Sequence, residues 1–208
     1  MTIVRPRDAA TLVLVRRDAA APRILMGRRS GGHDFMPGKW VFPGGRIDRA
    51  DYRGPLLTDL QPEVAADLAA SARLQRQDGG RLARALARTA VRETFEETGL
   101  VIGRGDVGRL EADLGALSYI ARAITPPARH KRFDARFLMA DAERLQSLEP
   151  QDSRELGEVA WFTLGECRDL DLPNVTRAVL DVVETRLEGG HAARPFWRWT
   201  RNNPESAL

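Results

Sequence analysis

The stretch RTAVRETFEETGL, residues 88–100, gathers Arg92, Glu93, Glu96 and Glu97 just ahead of Gly99. On a helix, at roughly 100° per residue, the three glutamates fall within about a 100° arc. Val91, Thr94, Phe95 and Thr98 project to the other side and suit a buried face. Carboxylates that close repel one another unless a cation lies between them. They also stand at the negative end of the helix dipole, where arginine would be the stabilising choice. Hard oxygen donors in this arrangement suit magnesium or manganese. A solvated helix end is the common explanation of two or three such glutamates. Five specified positions together make coincidence far rarer, on the order of one in ten thousand at average residue usage. Gly99 adopts the left-handed conformation without penalty and ends the helix.

Working outward, the helix that carries the glutamates begins near Leu82. Before it, residues 51–80 change character, with Val64, Leu68 and Leu74 at helical spacing and Gly79–Gly80 as a closure. They read as a helical insertion. Leu82 and Leu86 project on the glutamate side, so the inserted helix is expected to cover them and to form one wall of a substrate pocket. Upstream, TLVLVRR (11–17) reads as a buried strand, and 23–28 as its hairpin partner. A glycine-rich loop at 30–38 leads to a short strand at 40–42, which ends in FPGG (42–45). Downstream, 114–124, 136–140 and 158–164 read as strands. Residues 174–188 read as a helix capped by Asn174, and the tail RPFWRWTRNN is expected to pack back on the body. With no internal repeat and no linker, residues 1–208 form one α/β domain. The insertion occupies about 51–80, and the C-terminal helix and tail about 174–208.

Composition narrows the class. The chain has 208 residues and one cysteine, Cys167, so an internal disulfide or a cysteine-rich zinc site is excluded. Of 32 basic residues only Lys39 and Lys131 are lysines, a bias better ascribed to genome composition than to function. A net charge of +3 without a clustered basic stripe argues against nucleic acid as partner. No apolar run reaches the length of a membrane span, and no signal peptide is visible. A soluble, cytoplasmic protein is expected.

RETFEETG resembles the second half of the Nudix box: a glycine, five residues, a glutamate, seven residues, then REUxEExGU with U aliphatic. FPGG resembles the segment that opens the box. The resemblance covers roughly residues 9–188 and implies an α/β/α sandwich with a mixed sheet. It implies that Glu93, Glu96, Glu97 and the Gly44 carbonyl hold magnesium, with manganese as an alternative, and that Arg92 orients the glutamates. A further ligand from the loop before the last strand would be Glu149, Glu155 or Glu158, of which Glu155 is preferred. One glutamate of the set would activate the attacking water. The family pattern puts fourteen positions between the glycine and the arginine. Here Gly45 and Arg92 are 47 apart, so 33 residues are extra. Counting back from Arg92, Arg84 stands where the first box glutamate belongs, and Thr94 replaces an aliphatic residue.

The interrupted box, with RRSGGHDFMPGKWVFPGGRID, ITPPARHKRFDARF and LPNVTR, resembles the subgroup of peroxisomal coenzyme A diphosphatases. That implies hydrolysis of a phosphoanhydride in coenzyme A or an acyl derivative, with ADP-ribose or a nucleotide sugar as the alternative. A catalytically silent Nudix module that binds a nucleotide as a regulator is the reading from another class. Arg28, Arg29 and Arg46, and Arg132 within the cluster 129–132, are candidates to clamp substrate phosphates. Phe35, Met36 and Trp40 could stack on an adenine, with core packing favoured for Trp40. His33, His130 and His191 have no ligand spacing and are given no role. The family often dimerises, so a homodimer is entertained.

Overall fold

The structure, a computed structural model, describes residues 4–32, 35–72, 78–106, 108–127, 129–190 and 193–198. His33, Leu74 and His191 lie outside the described residues. The strands are β1 (Arg7–Arg16), β2 (Arg23–Arg29), β3 (Trp40–Val41), β4 (Gly44–Arg46), β5 (Leu56–Thr58), β6 (Gly103–Arg104), β7 (Glu111–Asp113), β8 (Ser118–Ile124), β9 (Phe133–Asp141), β10 (Leu156–Thr163) and β11 (Phe196–Arg198). The helices are α1 (Pro62–Ala70), α2 (Gly79–Thr98), α3 (Leu164–Asp169) and α4 (Asn174–Leu187).

Side chains alternate along a strand, and β1 uses both faces. Ala10, Leu12 and Leu14 join α2 through Leu86, Ala90 and Val91. Val13 and Val15 join α4 through Val179, Leu180 and Val183. A strand buried on both sides reads as a continuous apolar run, as TLVLV does. Around it the main sheet runs β10-β2-β1-β9-β8-β11, with β3 beside β2 and β4 beside β1. The β1–β9 and β8–β11 pairs are parallel; β1–β2, β2–β10 and β8–β9 are antiparallel. A mixed sheet between two helical layers is an α/β/α sandwich. A second sheet, β5-β7-β6, lies apart from it.

The insertion covers what it was expected to cover. Val64 and Leu68 of α1 share one apolar cluster with Leu82 and Leu86. Its far end is tied to the central sheet. Arg136, fully buried on β9, donates to the Ser71 hydroxyl at 3.2 Å and the Ser71 carbonyl at 3.0 Å, where α1 ends. It also pairs with Asp8 at 2.7 Å. Neighbouring Asp134 takes two 2.8 Å bonds from Arg122. Phe196 of the tail covers that guanidinium at 4.3 Å, and Arg194 pairs with Asp67 of α1. The tail thus packs back as a strand.

Several local expectations shift. Gly79–Gly80 open α2 instead of closing the insertion. Residues 114–116 form a 3-10 turn, because the Gly115 amide is drawn to the Thr58 hydroxyl at 2.9 Å, and β8 begins only at Ser118. Asn174 is the first residue of α4, not its cap; Pro173 takes the cap position, with no side-chain bond to the helix. α3 was missed, although Thr163 and Glu166 form a capping box whose T-x-x-E spacing is legible in the sequence. Among the described residues no helix is long and apolar enough to cross a membrane.

Candidate active site

Gly99 terminates α2 with φ 72°, and its N–H donates to the Phe95 carbonyl at 2.8 Å. Val91, Thr94 and Thr98 are buried, as the helical wheel requires. The glutamates do not share one environment. Glu96 is exposed, at 54% of its side chain, and bonds Arg92 at 2.8 Å. Glu93 is largely covered, and Glu97 is only 5% exposed.

Glycines make room for Glu93 and supply the amide that meets Glu97. Gly44 and Gly45 form β4 beside β1, and the glutamate turn settles onto this bare backbone. A Cβ at Gly45 would stand 2.4 Å from the Glu93 carboxylate. A Cβ at Gly44 would stand 2.6 Å from the Ala10 carbonyl oxygen. The Gly44 N–H donates to Glu97 Oε2 at 2.8 Å. Burial pushes the Glu97 carboxyl up to about 8, with the Glu93 and Glu155 charges adding and the Gly44 amide and Arg29 opposing. Burial likewise raises Glu93, against the pull of Arg92.

Arg92 is held by a residue the sequence reading passed over. Asp51, 3% exposed, accepts from Arg92 Nε at 2.9 Å and Nη2 at 3.0 Å. It also accepts from the Thr89 hydroxyl and the Asp48 amide, each at 2.8 Å. Arg92 reaches on to Glu93 at 3.0 Å, Glu96 at 2.8 Å and the Arg46 carbonyl at 3.2 Å. Burial works against the Arg92 charge, yet its bonds to Asp51 and the charges of Glu93 and Glu96 outweigh burial and raise its pKa. Asp51 lies six positions after Gly45, where the box pattern has its first acidic residue. Counting forward from the glycine would have found it. Arg84 is a surface residue paired with Asp59 at 2.7 Å, so the place assigned to it belongs to Asp51.

A cavity of about 350 Å³ opens beside this turn. Arg29, Phe35, Gly44, Arg46, Glu93 and Glu155 all line it, and so does Met36. The Glu155 charge is felt at Glu93, Glu97 and Arg29. Glu158 instead pairs with Arg28 at 2.9 Å, and Glu149 lies near Arg16. Arg28 therefore points away from the cavity, as it must when its strand neighbour Arg29 points in. Arg132 is also redirected: it donates to the Thr125 and Val4 carbonyls at 2.9 and 2.8 Å, while Arg129 and Lys131 line the rim. Phe35 meets Phe133 edge to face at 5.3 Å, and Trp40 packs on Phe162 at 5.1 Å. His130 is exposed. Among the described residues none of α1 lines this cavity, whereas Asp51, Gly54 and Pro55 of the insertion line a second one with Arg92, Glu96 and Glu97. On α2 the inserted helix covers Leu82 and Leu86.

As the side chains stand, no three acidic, histidine or cysteine groups among the described residues converge on one metal position, because Glu96 is turned out to Arg92. The donor chemistry nonetheless fits a divalent ion. Two adjacent carboxylates, Glu93 and Glu97, are held nearly dry, which raises the proton affinity of both. A hard cation relieves that strain.

Neither family models nor curated protein sequences give a match to the chain. Solved structures do. A Nudix hydrolase from Alicyclobacillus acidocaldarius is 27% identical, with a TM-score of 0.60 over 88% of this chain and 93% of its own. The chain is a hydrolase of the Nudix fold. The Nudix domain of Shewanella oneidensis NrtR, solved with ADP ribose, shares the fold at 15% identity and a TM-score of 0.56, over 88% of this chain and 90% of that one. A MutT Nudix hydrolase from Burkholderia pseudomallei does so at 21% and 0.52, over 86% and 99%. The likeness to the first of these supports a hydrolase that acts on phosphoanhydrides.

Proposed function

We propose that the chain is a metal-dependent pyrophosphohydrolase whose substrate is a nucleoside diphosphate joined to a second group, coenzyme A or an acyl derivative first. The observation that carries this reading is the cavity that ends on Glu93, Gly44 and Gly45, beside a buried carboxylate pair and an arginine locked by Asp51. Glu93, Glu96, Glu97, Glu155 and the Gly44 carbonyl would hold the divalent ion, magnesium or manganese. Such an ion polarises phosphate oxygens, offsets the charge that develops on them and lowers the pKa of the attacking water.

The chain's own residues do the rest. Arg92, fixed by Asp51, holds Glu93 and Glu96 in place. Arg29 and Arg46, which line the cavity together with Gly45 and Glu93, offer planar donors to phosphate oxygens. Water bonds to phosphorus, the bridging P–O bond breaks, and two phosphomonoesters leave. A carboxylate of the set accepts the proton and returns it to solvent. Arg129 and Lys131 stand on the rim. A second cationic group suits coenzyme A, whose adenosine carries an additional phosphate.

ADP-ribose is the second reading, supported by the NrtR Nudix domain that holds it. The test is a panel of coenzyme A, acetyl-coenzyme A, ADP-ribose and nucleotide sugars with magnesium, read as phosphomonoester release. Coenzyme A is expected to give the highest kcat/KM. If no member of the panel is cleaved, by wild type or by Glu97→Gln, the enzyme reading fails, and a silent nucleotide-binding module takes its place.

A further inference from the structure

The strand register sets one cross-strand row along the cavity floor. Trp197 on β11 pairs with Ala123 on β8, Ala123 with Ala135 on β9, Ala135 with Ala9 on β1, and Ala9 with Arg46 on β4. All five residues line the cavity. Residues paired across strands share a face, so this is one continuous strip. Its middle three positions are alanines, which leave a flat trough where larger residues would fill it. One end carries Arg46 beside Gly45 and Glu93; the other carries an indole. From β4, which carries Arg46, to β11 is four strand spacings, roughly 19 Å, room for a nucleoside diphosphate laid between the arginine and the indole.

Trp197 owes its position to the tail. β11 adds to the sheet edge in parallel, and Phe196 on the opposite face packs on Arg122. The tail backbone is tied in as well, with the Arg122 N–H donating to the Pro195 carbonyl at 3.0 Å. The indole is half-buried: it packs against the apolar cluster on the α4 side and also lines the cavity.

We propose that Trp197 is the base-stacking platform of the substrate site, and that the Ala9–Ala135–Ala123 strip is the channel along which the nucleotide lies. The proposal rests on the pyrophosphohydrolase reading for the placement of the phosphates. A planar purine matches the end of the trough because an aromatic face stacks on it whatever its edge pattern. Trp197 is a positioning and specificity residue; it touches the base and not the reacting phosphorus.

The test is equilibrium binding of AMP and of ribose 5-phosphate, by calorimetry, to wild type, Trp197→Ala, Trp197→Phe and Ala135→Leu. Stacking predicts that Trp197→Ala weakens AMP roughly tenfold to a hundredfold and leaves ribose 5-phosphate within about twofold. Trp197→Phe should restore most of the AMP affinity, which separates a stacking role from damage to the fold. Ala135→Leu should weaken AMP by obstructing the channel. Unchanged AMP binding in Trp197→Ala, or equal losses for AMP and ribose 5-phosphate, overturns the proposal. Binding needs no turnover, so a base effect with no hydrolysis of any panel substrate would refute the enzyme reading and leave the platform standing. In the converse case, hydrolysis that is insensitive to Trp197 would do the opposite.

Discussion

Glu97→Gln tests the electrostatics of the site directly. In the metal-free protein the Glu97 carboxyl titrates near 8, against an ordinary value of 4.5, because it is buried and stands beside Glu93. Below 4.5 it is protonated whether the chain is folded or not, so burial carries no penalty. Between 4.5 and 8 the unfolded chain ionises and the folded chain does not, so stability falls as pH rises, then levels off. At about 1.4 kcal/mol per pH unit, the loss at pH 8 is on the order of 4 kcal/mol. Glutamine keeps an oxygen to accept the Gly44 amide, so the 2.8 Å bond survives while the titration disappears. For a domain of this size each kcal/mol moves Tm by roughly 2–4 °C. With EDTA at pH 8, Glu97→Gln should therefore melt about 10 °C above wild type, and within about 2 °C of it at pH 4.5. Magnesium should raise the wild-type Tm at pH 8 and raise that of the variant less. A Tm difference that does not depend on pH, or a variant that is less stable at pH 8, would refute the argument.

Two further outcomes follow from the same contacts. Arg92→Met leaves Asp51 buried without its cation and should cost about 3–5 kcal/mol in urea unfolding; Asp51→Asn on top of it should recover part of that loss. Glu155→Gln should lower kcat at least about tenfold, whereas Glu158→Gln and Glu149→Gln, whose carboxylates lie with Arg28 and near Arg16, should stay near wild type. A Glu158→Gln variant as impaired as Glu155→Gln would show that the wrong carboxylate was chosen.

Local chemistry was legible in the sequence where it depends on near neighbours. The helix stop at Gly99, the buried run of β1 and the glutamate face of α2 all follow from residues within a few positions. Depth was not legible. A helical wheel gives the direction of Glu97 but cannot say that a side-chain-free strand, Gly44–Gly45, will make room for Glu93 and meet Glu97 with an amide. The tail was foreseen to pack back, but its parallel pairing with β8, and hence the place of Trp197, depends on contacts between distant segments. Arg132 looked like a phosphate clamp because its neighbours in sequence are basic; in the fold it satisfies backbone carbonyls, and the rim is left to Arg129 and Lys131. Asp51 was missed for a different reason. The spacing was counted backward from Arg92, across the inserted residues, when it holds only forward from Gly45.

Asp51 and Arg92 are 41 positions apart along the chain and 2.9 Å apart in space, so their ion pair closes the neck of everything between them. Beyond such a neck, segment length is nearly free: doubling a flexible loop adds only about 0.6 kcal/mol of closure entropy. The connections within the surplus residues can therefore lengthen or shorten without moving the carboxylates they interrupt, provided α1 still covers Leu82 and Leu86 and Ser71 still meets Arg136. For this arrangement a signature written as fixed spacings is the wrong kind of description. What holds this site together is a contact and not a distance along the chain.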